Sequence, residues 1–169
     1  MTRDGAAVVA LGEGGESSIA TGVPVLDHLL VELASAGRFT VRLEVAPDEP
    51  ESEVDVAGAI LGAALQPHLA AEEAAGRGDG IVAADEALAL VAVEASGRAL
   101  VASNVDLTST AAGGLRTDLA AAFLNGLAEG AGLTIHVRLF EGEDSQHVLE
   151  AIFKALGVAL AKACAEPRP

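Results

Sequence analysis

The segment Gln146-His147-Val148-Leu149-Glu150 carries the most chemistry for its length. It opens an apolar stretch that reads as a helix, and residues three apart on a helix share a face. His147 and Glu150 are therefore placed to address one ion or one substrate. The plainer reading is a solvated pair, with Glu150 near the positive end of the helix dipole. A second concentration of charge, Asp48-Glu49-Pro50-Glu51-Ser52-Glu53, reads as a solvated acidic loop or as a cation site. His28 stands alone on an apolar helix, where a structural histidine is the ordinary case. His68 and His136 show no sequence partner and read as structural. Arg98 follows Ser96-Gly97 in a turn between strands and is either simply exposed or a phosphate ligand. Lys154 lies one turn beyond Glu150, and an i,i+4 ion pair accounts for it. Cys164, the only cysteine, cannot pair within the chain. It reads as a small residue near the end of an apolar helix and suits a reducing cytoplasm.

The elements that must position these residues occur twice. Sliding the chain by 94 residues lays Leu30 over Leu124, Leu33 over Leu127, Ala34 over Ala128 and Thr40 over Thr134. After one extra loop residue the offset is 95, and Asp55 meets Glu150, Leu61 meets Leu156, Gly62 meets Gly157 and Leu65 meets Leu160. Such self-similarity marks an internal duplication. Ala122 is then the duplicate of His28, and Ser52 and Asp55 are the duplicates of His147 and Glu150.

Each half reads as strands, a helix, a strand and a second helix. Apolar residues at helical spacing predict helices over roughly 25–36 and 118–130. Gly37 and Gly132 follow as stop signals. Alternating strands come next, Phe39 to Val45 and Leu133 to Leu139. Acidic loops, Pro47 to Glu53 and Glu141 to Ser145, lead into second helices over about 54–70 and 146–164. Strands before the first helices are read at Ala6–Leu11 and Ser17–Ala20, and at Leu88–Ala95 and Ala99–Leu107. The glycine-rich stretch Gly76 to Gly80 joins the halves. The expected architecture is one α+β domain of two repeats, approximately 1–78 and 79–169. Helices should cover one face of each sheet, leaving two sheets or two helical layers to meet.

Composition bounds the function classes. At 169 residues and 51% apolar, the chain can bury a real core and is not a disordered class. Its formal charge of −15 repels phosphate backbones and anionic lipid, so neither nucleic acid nor a membrane is expected as a partner. No apolar run reaches the roughly 18 residues of a membrane span, and no secretory signal is visible. With four Phe and no Trp or Tyr, Ala, Val and Leu must pack the core.

Several segments together resemble one family. Thr21-Gly-Val-Pro-Val-Leu-Asp-His28-Leu-Leu resembles a Thr-Gly followed by Leu-Asp-His-Met-Leu. Asp85-Glu-Ala-Leu-Ala resembles Met-Asp-Glu-Ala-Leu-Ala, and Ser96-Gly-Arg98 matches Ser-Gly-Arg. Gly132-Leu-Thr-Ile-His136 resembles Gly-x-Thr-Leu-His. Gln146-His147-Val-Leu-Glu150-Ala-Ile-Phe-Lys154-Ala resembles His-His-x-x-Glu-Ala-x-Phe-Lys-Ala. In this order, from about residue 10 to 164, the set resembles the imidazoleglycerol-phosphate dehydratase family.

The resemblance implies a duplicated α+β fold of the ribosomal protein S5 domain 2-like kind. It also implies a cytoplasmic lyase of histidine biosynthesis, which converts imidazoleglycerol phosphate to imidazoleacetol phosphate. Family members hold two manganese ions with histidines and carboxylates from both repeats, at subunit interfaces of a cage-like homo-oligomer. Carried over one by one, His28 matches the histidine of Asp-His, and His147 and Glu150 match the second His-His-x-x-Glu. Glu51, Ser52 and Asp55 stand at the first. Ser52, Ala122, Gln146 and Glu51 replace family histidines. The residual metal set is His28, Glu51, Asp55, His147 and Glu150, and His28, Asp55, His147 and Glu150 are the catalytic candidates. Arg98 and Lys154 match phosphate positions. The family's Arg-Phe-Gly loop before Asp85 and its Ser-Thr-Lys-Gly tail have no counterpart. The expectation is a family member with a degraded dimetal site, each half keeping a fragment of one site, hence a non-catalytic or repurposed paralogue. The alternative is an active, manganese-dependent dehydratase. A homo-oligomer and a small phosphorylated imidazole ligand are the partners implied.

Overall fold

The computed structural model describes residues 5–12, 15–105, 111–112 and 115–167, with the side chains of 111–118 left aside. The first half runs β1 (Gly5–Leu11), β2 (Ser18–Ala20), α1 (Pro24–Gly37), β3 (Phe39–Val45) and α2 (Pro50–Leu69). The second runs β4 (Arg77–Ala84), β5 (Ala87–Glu94), β6 (Leu100–Ser103), the short β7 (Ala111–Ala112) and β8 (Leu115–Arg116), α3 (Thr117–Ala131), β9 (Thr134–Glu141) and α4 (Ser145–Cys164).

The duplication is visible in strand pairing. In the first sheet β3 lies between antiparallel β1 and parallel β2. In the second, β9 lies between antiparallel β5 and parallel β6, and β4 adds an outer strand beside β5. Helices α1 and α2 cover the first sheet, and α3 and α4 cover the second. The two helical layers meet, α1 on α4 and α2 on α3, so each helix packs on a partner from the other half. Leu and Ala dominate the core between the layers, with the rings of Phe123 and Phe153 tilted against each other at 5.5 Å.

Local chemistry explains the boundaries. Pro50 begins α2 four residues earlier than the periodicity suggests, since proline suits the first helical turn. Glu51 and Glu53 then gain from the positive end of the dipole rather than forming a loop. The stop after α1 is Arg38, in the left-handed region at φ 57°; Gly37 is the last helical residue. A Cβ on Gly37 would lie 2.5 Å from the Gly157 carbonyl, so close approach, not termination, requires that glycine. In the second half Gly132 does turn left-handed, at φ 68°. The stretch Gly76 to Gly80, read as a joint between halves, is largely strand β4. A Cβ on Gly78 or Gly80 would meet the Ala159 or Ala155 carbonyl at 2.2 or 2.5 Å, so these glycines let α4 lie close on the sheet. The strand expected to reach Leu107 ends at Ser103, and residues 106–107 lie outside those described.

Both helix pairs run parallel. Along α1 and α4 the contacts keep the same order: His28 with Glu150, Glu32 with Lys154, Gly37 with Gly157. Along α2 and α3, Gly58 meets Phe123 and Gly62 meets Leu127. Since β3 returns antiparallel to α1 before α2 begins, and β9 does the same before α4, all four helices start at one end of the molecule.

Candidate functional site

Two seams between helices reach that end, and they differ. At the α1/α4 seam, His28 Nε2 stands 3.4 Å from Glu150 Oε1. Gln146 Nε2 donates to the same oxygen at 3.5 Å. One turn further, Lys154 Nζ pairs with Glu32 Oε2 at 3.3 Å. Lys154 thus finds its carboxylate across the seam, on α1, and not at Glu150 on its own helix. The pairing of His28 with Glu150 joins one residue from each half in one cluster.

His28 is aimed by the turn before α1. Thr21 is fully buried, and its N–H and Oγ1 both donate to Asp27 Oδ1, at 2.8 and 2.5 Å. Gly22, at φ 90°, completes the turn, and a Cβ there would strike the Glu53 carboxylate. The Thr-Gly…Asp-His spacing is therefore a device that locks the start of α1.

His147 is placed by the start of α4 and by a hairpin. Asp144 caps α4, accepting from the N–H of Gln146 at 2.9 Å and of His147 at 3.1 Å. The β4–β5 hairpin turns in two residues, with Ala84 opposite Ala87 and Asp85 at φ 52°, a conformation aspartate tolerates better than most. That turn presents Glu86 to His147, Oε1 to Nδ1, at 2.6 Å. Asp85, Glu86 and His147 bring ligand atoms within 4.8 Å of one another. The hydrogen bond that His147 Nδ1 donates to Glu86 holds the imidazole above its ordinary pKa, against burial and with smaller help from Asp144, Glu86 and Asp85 charges. A set of one imidazole and two carboxylates fits a borderline-hard divalent cation of the manganese kind. Such an ion must displace the proton that Glu86 stabilises on His147.

At the α2/α3 seam the same positions carry little. Ala122, partly buried, offers no donor atom, and Asp55 is exposed. Ser52 Oγ donates to Asp48 Oδ2 at 2.7 Å, which with the Glu49 N–H lowers the Asp48 pKa. Glu53 is buried at the duplicate position of Val148 and accepts from the Asp48 N–H at 3.0 Å. Glu51 is exposed beside it on the first turn of α2. Among the described residues, no imidazole stands at the start of this seam.

The remaining sequence candidates are scattered. Arg98 lies in the turn after β5, while Glu86 lies in the turn before it. Eight strand residues separate them, about 25 Å at the usual rise. Within one chain Arg98 cannot join His28, His147 and Glu150. Ser96 Oγ accepts from the Arg98 N–H at 3.1 Å, and the Arg98 carbonyl accepts from Thr134. His68 bonds the Val9 carbonyl at 3.0 Å, and His136 is exposed on the outer face of the second sheet. Cys164 is buried, which pushes its thiol up to about 11. Asp85, Glu86, Asp144 and Glu32 were not singled out as site residues by spacing. Their nearest sequence signal is the Asp85-Glu86 dipeptide, which opens the segment Asp85-Glu-Ala-Leu-Ala.

These features define a class: a duplicated α+β protein with imidazole–carboxylate pairs gathered where its halves meet. A sequence model of imidazoleglycerol-phosphate dehydratase matches residues 21–160. The chain is 40% identical over 153 residues to the imidazoleglycerol-phosphate dehydratase of Desulforudis audaxviator, covering 88% of this chain and 78% of that one. It is 36% identical over 157 residues to that of Bacillus anthracis, covering 90% and 81%. The Pyrococcus furiosus structure of this enzyme superposes with a TM-score of 0.85 at 32% identity, over 99% of this chain and 93% of that one. That from Staphylococcus aureus gives 0.85 at 28% identity, over 94% and 92%. The chain belongs to the imidazoleglycerol-phosphate dehydratase family. Among the described residues no helix is long and apolar enough to cross a membrane.

Proposed function

We propose that the protein works in the cytoplasm at the dehydration step of histidine biosynthesis, taking imidazoleglycerol phosphate at the α1/α4 seam. The observation that carries this reading is the meeting of His28 and Glu150 across the halves, beside the His147–Glu86 pair. An ion of the manganese kind would be held by His147, Glu86 and Asp85, with His28 and Glu150 beside it, and would supply Lewis acidity toward the ligand's imidazole. Dehydration needs one group to take a proton from carbon and another to return one to the departing hydroxyl. Glu150 and His28, 3.4 Å apart, can divide those duties. Lys154 would hold the phosphate. Arg98 would add to a site only from a second copy, so the reading includes a homo-oligomer. Glu51 and Asp55, at the weaker α2/α3 seam, would add little to the hold on that ion.

The substitutions at that seam favour a second reading, a non-catalytic or repurposed paralogue. Ala122 and Ser52 leave it without imidazoles, and losing one ligand's support alone costs about 10- to 100-fold in affinity or activity. Turnover of imidazoleglycerol phosphate with added manganese, His147→Ala as control, separates the two. Turnover well above the control supports the dehydratase. Tight binding of the substrate without turnover supports the paralogue.

A further inference from the structure

The α1/α4 seam holds one pair that neither reading uses as more than an anchor. Glu32 and Lys154 face each other at 3.3 Å, each about 30% exposed, one helical turn beyond His28 and Glu150. Helix α1 contains no lysine or arginine, and the other permanent cation on α4 is Lys162. Lys162 lies two turns further, 4.0 Å from Asp79. Lys154 is therefore the cation that these helices offer to a ligand at His28 and Glu150, and Glu32 occupies it.

The duplicated seam shows that packing does not require this ion pair. The counterparts of Glu32 and Lys154 are Gly126 and Ala59. There the helices close directly, and a Cβ on Gly126 would lie 3.2 Å from the Ala59 nitrogen. The same fold thus seals the same level of a helix seam without charge. A carboxylate on one helix and an ammonium on the other keep the α1/α4 seam polar next to the cluster of candidate site residues.

We propose that Glu32 is a specificity-determining residue: a built-in anion that covers Lys154 when the site is empty and yields it only to a more highly charged group. This rests on the assignment of Lys154 to the ligand's phosphate. The tethered carboxylate competes at high effective concentration but brings one negative charge. A phosphate dianion brings nearly two charges and more acceptor oxygens, so it displaces Glu32 where a monoanion does not. Neutral imidazoles and monoanionic analogues are rejected because releasing Lys154 from Glu32 gains them too little.

The test is calorimetric titration of the full chain with inorganic phosphate and with acetate at pH 8, for wild type, Glu32→Gln, Glu32→Ala, Lys154→Met and the double variant Glu32→Gln/Lys154→Met. Thermal melts of each report folding. Both Glu32 variants are expected to bind phosphate roughly two- to fivefold tighter, the range of one partly exposed ion pair, and to gain acetate binding. Lys154→Met and the double variant should be equally weak. Unchanged phosphate affinity in folded Glu32→Gln and Glu32→Ala, with loss in Lys154→Met, overturns the role of Glu32 alone. Unchanged affinity in Lys154→Met overturns the phosphate assignment and this inference with it. A merely structural pair would move the melts and leave the anion affinities alone.

Discussion

The two helix seams descend from one arrangement, yet one is built of donors and the other of bare backbone. Across α2/α3, Gly58, Gly62, Gly126 and Gly130 bring the helices so close that a Cβ at any of them would lie 2.2 to 2.9 Å from a carbonyl oxygen of the partner helix. Across α1/α4, Gly157 and Gly37 do this at one level only. Above it the seam is held apart by Glu32 with Lys154 and by His28 with Glu150. The contrast teaches that the fold needs a close crossing in each pair but not at every level. Where it is not needed, side chains can be spent on chemistry. With Ala122 and Gly126 in place of His28 and Glu32, the α2/α3 seam keeps only the structural share.

The largest effect should come from filling the close seam. Gly130→Val puts a branched side chain where a Cβ would already lie 2.2 Å from the Ala59 carbonyl, and should cost about 3 kcal/mol or more in urea unfolding. Its duplicate Ala36→Val, at a position that already carries a Cβ, should cost far less. Equal costs would break the contrast. Next is metal affinity. His147→Ala should weaken manganese binding roughly 10- to 100-fold by titration calorimetry, and Asp55→Asn should leave it nearly unchanged. An equal loss from Asp55→Asn would mean both seams hold the ion.

The proton on His147 sharpens the picture further. Its folded pKa is raised from 6.5, chiefly by Glu86. The pair's contribution to stability is therefore fully present below about pH 6.5 and is lost as pH rises through the folded value. The same proton opposes the metal, so manganese affinity should rise with pH across that window. NMR titration should find the His147 value above 6.5 and return it to ordinary in Glu86→Gln. The smallest effect is expected at Asp48, held below 3.8 by Ser52. Its contribution is present above that ordinary value and is lost as pH falls through the folded one. Ser52→Ala should raise the Asp48 pKa while leaving the melting temperature almost unmoved.

Much of this was legible in the chain because its signals are local. Helical spacing places α1, α3 and α4 within a residue or two, and the offsets of 94 and 95 carry the duplication. The readings that needed correction share a cause. Gly76 to Gly80 looked like a joint because glycine is ambiguous locally; only α4 lying on β4 shows why small residues are wanted there. Pro50 and the acids after it looked like a loop because composition does not distinguish a solvated run from a first helical turn.

By itself the sequence determined the repeat, the helices α1, α3 and α4, and which residue types stand at positions 52, 122 and 146. Those follow from periodicity and residue type, which neighbours in the chain carry. Only the tertiary structure decided who faces whom. His28 found Glu150 across 122 positions, His147 found Glu86 across 61, and Lys154 chose Glu32 over the nearer Glu150. The physical reason is that a helix displays each side chain to whatever packs beside it, and here every helix packs on one from the other half.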